Sequence, residues 1–164
     1  MKLFGVVHSH EHLDRQIAEI EQHGIDGKSM MLELAPNYDA LVSKRETAPI
    51  RKPFFVALRE QFRSRCSRVI CGDQDLTIPD NPEWILAALL GEDYFYPDNH
   101  RDRTMANVIK AEKPDIVVVG NGHSEYLKSC FPEADHTVFQ PEHGYPDRYG
   151  RRRIWHNADQ IISL

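Results

Sequence analysis

Imidazole and carboxylate side chains carry much of the proton transfer and metal ligation in proteins, so their places in the chain are the natural start. Near the beginning, His8, His10, Glu11 and His12 crowd the stretch Leu-Phe-Gly-Val-Val-His-Ser-His-Glu-His. Three further groups are tied to apolar runs. Glu33 lies in Ser-Met-Met-Leu-Glu-Leu, Asp73 follows Arg-Val-Ile-Cys-Gly, and His123 follows Asp-Ile-Val-Val-Val-Gly-Asn-Gly. Neutral imidazole and carboxylate are ligands for zinc, manganese or cobalt, and an open position on such a metal lowers the pKa of bound water. His8, Glu33 and His123 suit such a site, with Asp73 completing it or standing behind it, as Glu11 also could, as partner or base. Without a metal, His8 or His123 oriented by Glu33 suits a general base towards water or a hydroxyl. Plainer readings stand beside these. Glu33 pairs with an arginine, Glu11 favours a helix N-terminus, and His10 and His12 are exposed residues of a first helical turn.

These groups can meet only if the elements around them bring them to one place. The apolar run 3–7, with β-branched Val6 and Val7, is too short for a helix and long enough for a buried strand. Ser9 is placed to cap a helix whose Leu13, Ile17 and Ile20 recur at helical spacing. After breaks at Gly24 and Gly27, residues 29–34, 68–72, 115–120 and 137–139 read as further strands. Residues 54–66 read as a helix with Phe55, Leu58 and Phe62 on one face and Arg59, Arg63 and Arg65 on the other. A break over 77–82, a helix over 82–90 and an aromatic loop over 91–99 (Tyr94, Phe95, Tyr96) precede a helix carrying Met105, Val108 and Ile109. A short helix reaches Cys130 after the Gly-Asn-Gly-His turn, where Gly120 and Gly122 supply positive φ or line a site. Strands alternating with helices predict an α/β domain with a mainly parallel central sheet flanked by helices. Parallel strands share one carboxyl edge, where open α/β sheets keep their ligands. His8, Glu33, Asp73 and His123 fall at or near four strand ends, a recurrence that scattered polar residues would not show.

The bulk properties narrow the classes. At 164 residues the chain suits one domain and is too short for an eightfold strand–helix barrel. We expect the α/β domain over 1–140, with 141–164 as a peripheral segment packing on it or on a partner, and able to exchange within a homo-oligomer. A net charge of −5 disfavours a nucleic-acid binder, and Arg151-Arg152-Arg153 reads as a solvated surface. Three cysteines without zinc spacing read as reduced thiols, Cys71 among them as a small buried side chain, and point to the cytoplasm. No apolar run approaches the ~20 residues that span a bilayer, and no secretion signal opens the chain, so no membrane role is expected.

Two copies of Gly-x-x-His, Gly5-Val6-Val7-His8 and Gly120-Asn121-Gly122-His123, flank Leu32-Glu33-Leu34, Gly72-Asp73 and Arg101-Asp102-Arg103-Thr104-Met105-Ala106. In this order the motifs resemble the TraB/PrgY–TIKI superfamily, which includes the erythromycin esterases and the haem-binding ChaN proteins. The resemblance covers residues 5–123. It implies a three-layer fold of the erythromycin esterase/ChaN kind and a TIKI-like hydrolase that splits a peptide or ester bond with metal- or histidine-activated water. His8, Glu33, Arg101 and His123 would be its catalytic groups. Gly5, Glu11, His12, Gly120 and Gly122 would line the site. Arg101 would anchor a substrate carboxylate or a developing oxyanion, unless it serves only as the ion-pair partner of Glu33. His100 stands where the family has Glu, and Gln74 where Arg often follows Gly-Asp. These departures motivate a second reading, a non-catalytic protein of the same fold holding haem, a peptide or a small molecule. A third reads His8-Ser9-His10 as the His-x-His of a small amidohydrolase-like metal enzyme, which the chain length disfavours.

Overall fold

The computed structural model describes residues 1–42, 54–74 and 100–139. Its elements run β1 (Lys2–Val6), a 3-10 turn (His10–His12), α1 (Leu13–Gln22), β2 (Ser29–Leu32), α2 (Tyr38–Val42), α3 (Phe54–Phe62) and β3 (Arg68–Cys71). Then come α4 (His100–Glu112), β4 (Ile116–Gly120), α5 (Asn121–Cys130) and β5 (Asp135–Val138). The five strands form one sheet in the order β3-β2-β4-β1-β5, and every pairing is parallel. The architecture is the expected α/β sheet flanked by helices.

Period-two alternation splits each strand between two apolar layers. Phe4, Val6, Met30, Leu32, Ile116 and Val118 pack on one face with Ile20 of α1 and Phe55, Leu58 and Phe62 of α3. Leu3, Met31, Val117 and Val119 pack on the other with Met105 and Ile109 of α4 and Leu127 of α5. The split follows from the handedness of parallel crossovers. The chain steps β1 to β2 to β3 in one direction with its helices on one face. It then returns from β3 to β4 and β5 with α4 and α5 on the other. At the carboxyl edge, β4 therefore sends its chain to one face while β1 and β2, on either side of it, send theirs to the opposite face. The crevice between these departures is where such sheets bind ligands.

One glycine is there because side chains of a neighbouring helix come close. A Cβ on Gly5 would lie 2.8 Å from Asn121 Oδ1 and closer still to Ser124 Oγ, so Gly5 lets α5 settle onto β1. Gly5→Ala should overpack this contact and destabilise the fold by roughly 1–3 kcal/mol, read as a lower urea midpoint. Gly24 and Gly27, by contrast, both adopt positive φ, as breaks between α1 and β2 should.

Several local expectations change. Ser9 does not cap α1: the 3-10 turn intervenes, closed by the His12 N–H on the Ser9 carbonyl at 3.2 Å, and the α1 N-cap is His12 without a side-chain bond. The 29–34 strand ends at Leu32, which leaves Glu33 just beyond the ladder. The helix expected over 54–66 stops at Phe62, and its arginines serve surface ion pairs, Arg59 with Asp39 and Arg65 with Asp26 and Glu21. Tyr38–Val42 adds a short helix. Cys66 is buried and Cys71 only half-buried. The expected break over 77–82, helix over 82–90, aromatic loop over 91–99 and segment over 141–164 lie outside the described residues. Among the described residues, no helix is long and apolar enough to cross a membrane.

Candidate functional site

Glu33 is the centre of the site. It is 6% exposed, and its two oxygens are approached from four directions. Oε2 accepts the Gly120 N–H at 2.7 Å. Oε1 accepts Arg101 Nη2 at 2.7 Å and lies 3.3 Å from His123 Nε2. His8 Nε2 stands 3.8 Å from Oε2, within ion-pair range but beyond a hydrogen bond. Two imidazoles more than a hundred residues apart in the chain thus face one carboxylate. Asp73, 8% exposed, receives Arg101 on both oxygens, with Nε at 3.1 Å from Oδ1. Asp102 accepts His123 Nδ1 at 2.6 Å.

Each side chain is delivered by a strand or helix end. His8 and Glu33 are placed by the same device. The Ser9 N–H returns to the Val7 carbonyl at 2.7 Å, and the Leu34 N–H to the Leu32 carbonyl at 2.8 Å. Each closes a three-residue turn with the site residue at its centre. Neither central residue has positive φ, Lys113 being the one non-glycine that does among the described residues, so both are the common inverse form found at strand ends. The first turn of α4 brings Arg101 and Asp102 together, and the first turn of α5 brings His123. On its outer side the His8 ring packs against Phe54 and Phe55, with centroids 5.8 Å and 4.9 Å away.

Gly120 explains itself here. Its φ of −61° and ψ of 151° suit any residue, so the expected positive φ is absent, and it is absent at Gly122 as well. A Cβ on Gly120 would fall 2.7 Å from His8 Nε2 and 3.2 Å from Glu33 Oε2. Gly120→Ala should therefore fold with a melting temperature near wild type while pushing the half-exposed His8 ring outward. The displacement is measurable as lost ring contacts to Phe55 in NMR, and it would abolish any activity that depends on His8. A Cβ on Gly122 would meet open space, so that glycine is not required by packing.

The charges settle who holds protons. Burial works against an ionised Glu33. The hydrogen bond from His123 and the positive charges of His123, His8 and Arg101 outweigh it and hold its carboxyl at about 2. Burial likewise disfavours a charged His123, but the bond and charge of Glu33 and the bond to Asp102 raise it to about 9. His123 is consequently an imidazolium at neutral pH, with both ring nitrogens directed at carboxylates. A protonated His123 cannot serve as a general base there. Among the described residues, three carboxylates (Glu33, Asp73, Asp102) meet two cations (Arg101, His123), with His8 beside them.

The fit to a divalent metal is poor in this arrangement. Glu33 and Asp73 hold Arg101, His123 carries a proton, and among the described residues no three His, Cys, Asp or Glu side chains converge as a metal-holding group. The positive charge a metal would bring is already present as guanidinium and imidazolium.

Of the sequence-read residues, His8, Glu33, Asp73, Arg101, His123 and Gly120 come together. Gly5 supports α5 one layer below. Glu11 is exposed and His12 half-exposed on the 3-10 turn, and among the described residues neither makes a hydrogen bond or ion pair with the cluster. Four contributors are not singled out by the sequence pattern. Asp102 follows Arg101 directly in the chain. Phe55 reads as part of a helix core face, and Phe54 only as the start of that helix. Gln16 falls on the apolar stripe of α1 (Leu13, Gln16, Ile17, Ile20), and a polar residue on a buried stripe was the signal.

Among the described residues, fold and site together define an open α/β sheet of parallel strands with an ion-paired histidine–carboxylate cluster at its carboxyl edge. No protein-family model, no curated protein and no solved structure matches the chain.

Proposed function

We propose that the protein is a hydrolase of the TraB/TIKI type, in which His8 activates water for attack on a peptide or ester bond. The observation that carries the reading is Glu33 lying between His8 and the His123–Arg101 pair at the crevice of the sheet. In this reading His8 takes the proton from water as its oxygen attacks the carbonyl carbon, and returns it to the departing alcohol or amine as the ester or peptide bond breaks. Glu33, 3.8 Å away, stabilises the imidazolium held between the two steps. Arg101 Nη1 donates to nothing among the described residues and the side chain is about one-third exposed. With the His123 imidazolium it supports the negative charge that develops on the carbonyl oxygen. Phe54 and Phe55 keep the far side of the base apolar.

The test is turnover of chromogenic esters and a peptide mixture by the wild type and by His8→Ala, with metal content by elemental analysis. Turnover that falls about 100-fold or more in His8→Ala supports the reading, since a positioned general base contributes ~10²–10⁴. Turnover that tracks bound zinc, manganese or cobalt supports metal-activated water on His8, Glu33, His123 and Asp73 instead. That arrangement requires Arg101 to withdraw and His123 to lose its proton. The amidohydrolase-like variant would add His10 to the ligands.

The density of ion pairs favours one further reading, a protein that holds haem, a peptide or another small ligand without reaction. Glu33 and Asp73 already share Arg101, as in a rigid binding framework. Absent turnover together with a ligand-dependent rise in melting temperature would establish it.

A further inference from the structure

We propose that Gln16 is a positioning residue for His8, acting through the backbone of Val7; the proposal rests on the reading of His8 as the base. Gln16 is 1% exposed on a helix stripe where an aliphatic side chain would pack. A buried carboxamide is costly unless both of its polar ends are bonded. Here both are, and to the same residue. The Val7 N–H donates to Gln16 Oε1 at 2.8 Å, and Gln16 Nε2 donates to the Val7 carbonyl at 3.0 Å. The side chain pairs with Val7 as a neighbouring strand would, one residue beyond the end of β1.

The consequence falls on His8. The Val7 carbonyl accepts both Gln16 Nε2 and the Ser9 N–H, the latter at 2.7 Å, so both of its lone pairs are used. Peptide planes on either side of His8 are thereby fixed, one by the carboxamide and one by the turn it supports. That sets the direction in which the His8 side chain leaves the backbone, towards Glu33 and against Phe55. The Val7 N–H and carbonyl together require a side chain that donates and accepts side by side, at this length. Methionine matches the length without the bonds, and asparagine keeps the amide but falls short by one methylene.

The experiment compares wild type, Gln16→Met and Gln16→Asn by NMR and by ester turnover. Val7 amide exchange should rise about tenfold relative to amides inside β1, as loss of one such bond predicts. Contacts between the His8 ring and the Phe55 ring should fall by more than half, while Phe54–Phe55 contacts persist. Turnover should drop about tenfold or more in kcat with KM within about twofold, because the base is misaligned while binding is kept. His8 ring contacts unchanged in a folded variant would overturn the proposal, even if Val7 exchange rises. Unfolding of both variants would overturn it too, by making Gln16 a residue of the fold alone. If the wild type shows no turnover, the hydrolase reading fails, and the ring contacts still decide the role of Gln16.

Discussion

In Glu33→Gln protein, His123 should titrate well below its wild-type value of about 9, back towards the ordinary 6.5, and the fold should lose roughly 3 kcal/mol at neutral pH. The size follows from the carboxyl itself. A group held at about 2 rather than 4.5 contributes roughly 3 kcal/mol of folding free energy wherever it is ionised in both states. Gln keeps the shape but not the function of the side chain. One amide oxygen cannot serve Gly120 N–H, Arg101 and His123 together, and the amide nitrogen would turn a donor towards one of those donors. A buried donor left unmatched costs about 1–3 kcal/mol by itself. Arg101 retains Asp73 and His123 retains Asp102, so the His123 shift should be partial, with the guanidinium now opposing the imidazolium unscreened by Glu33. Ring titration by NMR and urea unfolding measure the two effects. Unchanged values in both would show that the cluster is held by something other than Glu33.

How far the sequence discloses this arrangement depends on the kind of interaction. Strand ends are legible because short β-branched runs such as Ile116–Gly120 are punctuated by glycine, and a polar residue after the run marks the edge. Parallel pairing then brings His8, Glu33, Asp73 and His123 to one side of the molecule without any knowledge of contacts. Protonation states are not legible. His123 reads as base or ligand until Asp102 is seen on its other nitrogen, and that contact joins helices α4 and α5, which no local pattern relates. Gly120 shows a subtler limit. A glycine after a strand suggests positive φ, yet its backbone is ordinary and the constraint is a histidine ring arriving from β1. Gln16 is the converse case, since its place on an apolar stripe was visible but its partner, the backbone of Val7, carries no side-chain signature at all.

The second large effect is in the pH dependence of stability, and its two limbs have opposite signs. His123 is raised from 6.5 to about 9 in the folded protein. The stability it brings is complete below pH 6.5 and is lost as pH rises through about 9, when the folded imidazolium finally deprotonates. Glu33 is lowered from 4.5 to about 2, so its contribution is complete above pH 4.5 and is lost as pH falls through about 2. Each limb should span roughly 3 kcal/mol. The two report one interaction seen from either partner, so they do not add at neutral pH. Urea unfolding between pH 2 and 10 should thus show a plateau from about 4.5 to 6.5 with a decline on both sides. His123→Gln should remove the alkaline decline and shrink the acid one, and Glu33→Gln should remove the acid decline and shrink the alkaline one, since Asp102 still holds His123. Salt separates this from the protein's other ion pairs. Arg59–Asp39 and Arg65–Asp26 involve carboxylates that are largely exposed and should be screened at high ionic strength, whereas Glu33 is shielded from solvent and its limbs should persist. For the proposed hydrolase, turnover should fall on the alkaline side at the same pH of about 9, because the His123 imidazolium assigned there to oxyanion support disappears. A stability curve flat from pH 6.5 to 10 would mean His123 is not protonated in the folded state, and the division of labour between His8 and His123 would then have to be reversed.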